Sequence, residues 1–291
     1  MQEINIFLNF PVLFAAMTGV LGLLVGSFLN VVIYRLPIMM QRNWRQECSE
    51  FLELDRPDLA EEATFNLVFP LSHCPHCNAA VKPYQNIPVF SYLFLRGRCA
   101  ACKTPISPRY PIVESFTGIC SAAVAWHYGY SVETAFALLL TWSLIALSGI
   151  DIDHQLLPDS ISLPMLWLGL FLSLFTLFTD SHSSIVGAIA GYLCLWLVYH
   201  AFKLITGKEG MGYGDFKLLA LFGAWLGWQY LPLIILLSSL VGAIVGICLV
   251  AFVKHDRNIP IPFGPYLAAA GWIALIWGDR INQIYLNAVG L

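Results

Sequence analysis

Apolar residues arrive in long runs, at residues 11–34, 112–128, 133–150, 160–179, 184–205, 216–229, 231–253 and 263–287. A helix needs about 20 apolar residues to cross a bilayer, where it satisfies its own backbone hydrogen bonds. The pattern predicts an all-α, polytopic integral membrane protein with about eight transmembrane helices and both termini on one side. The 216–229 run is short for a span, so it is either tilted or joined tightly to the next helix. Gly22, Gly26 and Ser27 within the first run suit close helix packing. That run has 24 residues, more than the roughly 7–15 of a signal-peptide core, and nothing basic precedes it, so it is read as a retained helix. No internal repeat or low-complexity linker is evident.

Composition sharpens the picture. The chain is 58% hydrophobic and 11% charged, against roughly 25% charged residues in a soluble domain. Its mean hydropathy is +0.71. The net charge of −3 gives no reason to expect a nucleic-acid partner. Of the 15 Lys and Arg residues, nine fall between Arg35 and Arg109; under eight helices Lys203, Lys208, Lys217, Lys254 and Arg257 share that side. Only Arg280 does not, and the positive-inside rule makes the shared side cytoplasmic.

The sizeable polar segment, residues 36–111, separates the first helix (1–35) from the remainder (112–291). Its first part, Arg45 to Glu62, carries Glu47, Glu50, Glu53, Asp55, Asp58, Glu61 and Glu62 against Arg45 and Arg56. A solvated amphipathic helix is the first reading of this stretch, and a docking surface for a basic peptide the second. The second part holds Cys74, Cys77, Cys99 and Cys102 as two C-x-x-C pairs. With 21 residues between them the pairs resemble a four-thiolate zinc knuckle, just beyond the usual spacing of about 15–20, and in a segment with little core the metal would supply folding energy directly. A redox pair and unliganded thiols are the competing readings; cytosolic placement disfavours stable disulfides. His73 and His76 are possible substitute ligands. Cys120, Cys194 and Cys248 lie inside apolar helices and read as small core residues.

Two carboxylates stand where charge is expensive. Asp151 directly continues the 133–150 run, and Asp215 immediately precedes 216–229. An ionisable residue bordering hydrocarbon is a functional candidate by default. Two that converge suggest a shared-proton pair activating water, as in aspartic proteolysis. Asp153 is the alternative to Asp151. Asp159, after Pro158 and before Ser160, is expected to cap the next helix, a role also open to Asp215. Gly212 and Gly214 flank Tyr213 and allow close backbone approach beside Asp215. His154 reads as a solvated loop residue. No Ser/His or Cys/His nucleophile set and no His-Glu-x-x-His motif stands out.

Taken together these residues resemble the bacterial type IV prepilin leader peptidase/N-methyltransferases, over essentially the whole chain. The resemblance rests on Gly26 to Pro37, the two C-x-x-C pairs with Asn86 to Pro88 between them, and Arg109 to Glu114. It extends through Asp151 to Asp159, Gly207 to Lys217, and Pro260 to Tyr266. It implies a bifunctional, multi-pass enzyme of the bacterial inner membrane with its active site facing the cytoplasm. Such an enzyme cleaves the basic leader of type IV prepilins, and of type II secretion pseudopilins, after a glycine. It then methylates the new N-terminus with S-adenosylmethionine. Asp151 and Asp215 match the family's catalytic aspartates, and Cys74, Cys77, Cys99 and Cys102 its zinc ligands. Residues 112–291 would be a membrane peptidase domain of about seven helices, and 36–111 a cytoplasmic zinc-knuckle-like domain. The methyl donor's ligands have no motif here, since no Gly-x-Gly-x-x-Gly opens a helix after a strand. A peptidase-only enzyme of the preflagellin type and a proton-coupled transporter or scaffold are the competing functions.

Overall fold

The computed structural model describes residues 10–53, 65–252 and 261–289. Each predicted apolar run becomes a helix: α1 (Pro11–Phe51), α3 (Arg109–Tyr128), α4 (Val132–His154), α5 (Asp159–Ser173), α6 (Ser181–Thr206), α7 (Tyr213–Leu226), α8 (Leu231–Phe252) and α9 (Gly264–Val289). A short helix, α2 (Phe90–Phe94), lies in the polar segment. Four segments are long and apolar enough to cross a membrane: Pro11–Phe51, Val132–His154, Ser181–Thr206 and Trp228–Leu249. Asp159–Ser173 is apolar but shorter. Eight helices are therefore present where expected, and four of the described segments qualify as spans.

α1 runs 17 residues beyond the predicted end at Tyr34, straight through Pro37. Proline costs the helix one hydrogen bond, but the Met, Gln, Arg and Glu residues that follow are good helix formers and propagation continues. Arg45, Glu47 and Glu50 thus lie on a helix; Asp55, Arg56, Asp58, Glu61 and Glu62 fall outside the described residues, as do Lys254, Arg257 and Pro260.

The chain forms two compact units, Met1–Trp142 and Ser143–Leu291, and passes from one to the other within α4. In the first unit α1 and α3 meet through small residues. A β-carbon added at Gly22 would lie 2.4 Å from Ser121 Oγ, and one at Gly26 2.7 Å from the Glu114 Cα. Both glycines are where the backbones touch, as their spacing suggested. Polar groups inside this pair are satisfied locally: Asn30 donates to the carbonyls of Gly26 and Tyr110, both at 3.2 Å. The buried Arg35 donates to the carbonyls of Asn66 (2.9 Å) and Pro70 (2.6 Å), tying the polar segment to α1. Cys120 is buried, as expected, whereas Cys194 and Cys248 are exposed. The last two occupy outward faces of their helices, because an all-apolar helix gives no periodicity by which to choose its inner face.

α7 is the centre of the second unit. From Asp215 to Leu226 every side chain except Lys217 is buried. Close approach on several sides explains how. A β-carbon at Gly223 would sit 2.1 Å from the Gly187 carbonyl oxygen of α6, and one at Gly169 of α5 2.4 Å from Trp225. One at Gly271 of α9 would sit 2.1 Å from Phe222. Ser184 donates to the Ala224 carbonyl at 2.6 Å and the Trp225 indole to that of Met165 at 2.7 Å. The shortness of the predicted 216–229 run follows: α7 has 14 residues, about 21 Å at 1.5 Å each. It is joined to α8 by Gly227, at φ 87°, and a single 3-10 turn, Trp228–Tyr230.

Candidate functional site

α4 does not stop at the end of its apolar run; its last turn carries Asp151, Asp153 and His154. Asp151 faces inward and is buried, while Asp153 and His154 are exposed. Two residues along a helix is more than half a turn, so burying one of these aspartates turns the other outward. The backbone N–H of Gly264 donates to Asp151 Oδ2 at 3.0 Å. Gly264 is the first residue of α9, so the donor is one of the N–H groups a helix leaves free at its start, oriented toward negative charge. A β-carbon there would lie 2.7 Å from the same oxygen.

Asp215 is the third residue of α7 and equally buried. Capping does not use it in the expected way: Gly212 occupies the N-cap position and no side chain caps the helix. The carboxylate still gains from the helix dipole in this first turn. Gly214 beside it has no room for a side chain, since a β-carbon would lie 2.7 Å from Leu157 Cβ. Leu157 also packs near Gly264, so one leucine buttresses the glycines adjoining both carboxylates.

The expected cap by Asp159 is not made. Pro158 takes the N-cap position of α5 and no side chain caps it. Asp159 instead holds Lys217, whose Nζ lies 2.7 Å from both carboxylate oxygens. This ion pair ties the start of α5 to α7 two residues beyond Asp215. The loop before α7 is fastened by Lys203 on Glu209, at 2.8 Å. Tyr213 packs tilted against Tyr199 and edge-on against Phe216, with ring centroids 5.3 and 5.4 Å away.

Gly264 is the site residue that sequence reasoning left without a role. Its signal was a glycine at the start of a helix and before a proline, but its partner lies 113 residues away. Alanine at 264 must push Asp151 aside. A displacement near 1 Å costs on the order of 10²-fold in rate, so Gly264→Ala is expected to lower kcat by that order with the melting temperature little changed. Steady-state turnover at the wild-type level would remove Gly264 from the site.

In the first unit the four sulfurs of Cys74, Cys77, Cys99 and Cys102 all lie within 4.8 Å of one another, with Cys74 and Cys102 3.7 Å apart. Zn–S bonds near 2.3 Å in a tetrahedron place sulfurs about 3.8 Å apart, so the donor set fits zinc. Neither His73 nor His76 joins the cluster.

The backbone shows a repeat that the residue types conceal. Cys74 N–H donates to the Ala79 carbonyl and Cys99 N–H to that of Thr104; Asn78 N–H returns to Cys74, and Lys103 N–H to Cys99. Antiparallel bridges follow the same offset, His73 with Ala80 and Arg98 with Pro105. Asn78 and Lys103 both have positive φ, 54° and 62°. These are two copies of one knuckle that share little sequence beyond their cysteines.

Without a cation the thiols compete for ionisation. The Thr104 hydroxyl and amide draw Cys102 down to about 6. The Ala79 amide also favours the Cys77 thiolate, but desolvation and the neighbouring sulfurs outweigh it and push Cys77 up to about 11. A dication would let all four ionise together.

A family model described as Bacterial Peptidase A24 N-terminal domain matches residues 20–128, and one described as Type IV leader peptidase family matches residues 138–247. The chain is 57% identical over 287 residues to the prepilin leader peptidase/N-methyltransferase of Stutzerimonas stutzeri, covering 99% of each chain. It is 55% identical over 290 residues to the protein of that name from Pseudomonas aeruginosa, covering 100% of this chain and 99% of the relative. The Legionella pneumophila relative is 46% identical over 282 residues, 97% of this chain and 98% of its own. No solved structure matches.

Proposed function

The chain belongs to the type IV leader peptidase family, and we propose that it cleaves the basic leader from type IV prepilins and type II secretion pseudopilins, then methylates the new N-terminus. The observation that carries the first reaction is the pair of buried aspartates, Asp151 and Asp215, each set beside a glycine that lets backbone come close. One carboxylate takes a proton from water as it attacks the scissile carbonyl; the other, protonated, donates a hydrogen bond to the carbonyl oxygen. The proton then passes to the leaving nitrogen, and no covalent intermediate forms. Gly264 N–H holds one oxygen of Asp151 and so fixes which oxygen faces the water. The burial of Asp151 and the exposure of Asp153 favour Asp151 for this role.

Cleavage belongs on this reading to residues 112–291 and the zinc-bearing domain to 36–111, with all eight helices in the inner membrane. The basic side of the chain faces the cytoplasm, which is where a basic leader preceding an apolar helix presents its cleavage point. Cys74, Cys77, Cys99 and Cys102 would hold zinc as a structural ion. S-adenosylmethionine supplies an electrophilic methyl group. The described residues form no sheet beyond two isolated bridges, so a Rossmann-type cradle does not hold the donor; we place its site partly in 36–111.

The test is mass spectrometry of a prepilin incubated with the purified enzyme and S-adenosylmethionine. The expected product is shortened after a glycine and heavier by one methyl group. Cleavage without the methyl would leave a peptidase of the preflagellin type. An untouched substrate, with enzyme shown to be folded, would favour a transporter or scaffold.

A further inference from the structure

The short helix α2 presents an apolar face that the other described residues leave uncovered. Ile87, Phe90, Leu93 and Phe94 are 49%, 68%, 65% and 90% exposed. Phe90, Leu93 and Phe94 are three or four residues apart on the helix and fall on one side of it; Ile87 lies in the extended stretch just before it. The opposite side is occupied: Tyr92 donates to the Ile106 carbonyl at 3.4 Å and packs against Gly97, where a β-carbon would lie 2.9 Å from its hydroxyl.

The height of this face along α3 is fixed by a second contact. Val89, at the start of α2, donates its N–H to the Glu114 carboxylate at 2.8 Å. Glu114 is five residues into α3, about 7 Å from its beginning. The contact sets α2 beside the first turns of α3, where the apolar run that begins at residue 112 meets the polar segment.

Charge then selects the occupant. Residues 63–113 contain no Asp or Glu but hold Lys82, Arg96, Arg98, Lys103 and Arg109. Arg96 and Arg98 directly follow the apolar turn and are exposed. A zinc tetrathiolate would cancel only part of this positive charge. A basic leader peptide would be repelled. The acidic stretch 45–62 could answer the arginines, but it sets nine charged residues against four large apolar ones, Phe51, Leu52, Leu54 and Leu59. An anionic leaflet satisfies both, taking rings below the headgroups and arginines among the phosphates.

We propose that the Ile87–Phe94 face, with Arg96 and Arg98, docks into the headgroup layer of an anionic leaflet beside the mouth of α3. The contact anchors the zinc module to the membrane surface independently of the peptidase reaction.

The test places the photoreactive residue p-benzoylphenylalanine at position 94 of the full-length protein in nanodiscs. Two compositions are compared, phosphatidylglycerol with phosphatidylcholine, and phosphatidylcholine alone; cross-links are identified by mass. The same residue at Ile119, an outward-facing apolar position of α3 (68% exposed), reports that lipid capture works. Expected is a phosphatidylglycerol adduct at 94 that falls several-fold in phosphatidylcholine and in the Arg96→Gln/Arg98→Gln variant. A cross-link to residues 54–64 or to a second copy would overturn the proposal. So would lipid capture indifferent to headgroup and arginines, or silence at 94 while 119 reacts.

Discussion

Asp215→Asn is expected to abolish leader cleavage while leaving the protein folded. Asparagine keeps the shape and polarity of the side chain but neither accepts a proton from water nor gives one to the substrate. Acid–base catalysis by a positioned group is worth roughly 10²–10⁴-fold, and the loss of one member of a pair disables the other as well. Asp151→Asn should therefore lose as much, and the double variant little more than either single one. The fold gives a sharp control. Asp153 sits in the same helical turn but is exposed, so Asp153→Asn should cleave at close to the wild-type rate. The measurement is single-turnover release of leader from a prepilin by each full-length variant, with methylation of a pre-cleaved pilin assayed separately. Full activity in Asp151→Asn together with loss in Asp153→Asn would transfer the role to Asp153.

The second large effect concerns the metal. Structural zinc contributes about 10–16 kcal/mol to folding in small zinc-binding peptides. The knuckles have little else to hold them: Cys77 and Cys102 are exposed, and the residues around them are mostly exposed or half-buried. Chelation, or Cys74→Ser, should remove one equivalent of zinc per chain. Hydrogen exchange should then rise together in residues 72–81 and 97–106, two segments joined through the sulfur cluster. α6 to α9, built around α7 in the other unit, should keep their protection. Protein purified without chelators that carries no zinc, or whose mass shows a Cys74–Cys102 disulfide, would sink this reading. Exchange unchanged on metal loss would show the knuckles to be self-supporting.

How much of this was legible beforehand depended on the range of the interaction. Helix positions were, because hydrocarbon enforces apolar continuity and every run from 112–128 to 263–287 became a helix. The cysteine cluster was too, because two C-x-x-C pairs bring their own local geometry. Helix ends were less so. Tyr34 looked terminal because polarity rises after it, yet polarity ends a span and not a helix, and α1 continues to Phe51. Asp159 followed a cap-like pattern, but Pro158 took the cap position and a lysine 58 residues away claimed the carboxylate. Gly264 was invisible for the same reason. Its contribution is a backbone N–H, which every residue but proline carries, and only tertiary structure brings it to Asp151. The paired knuckles escaped notice because carbonyl and amide positions repeat while the side chains differ.

One consequence follows from the length of α1. Its 41 residues extend about 60 Å, twice the roughly 30 Å of a bilayer's hydrocarbon. The helix therefore continues well past the apolar layer, and its last turn at Phe51 is set in angle as well as in reach. One residue inserted after Gln41 would swing that last turn by about 100° around the helix axis, whereas seven would advance it by about 10 Å with its bearing nearly kept. Variation in the length of this helix is thus tolerated in steps of whole turns, a constraint that a flexible tether of the same composition would not impose.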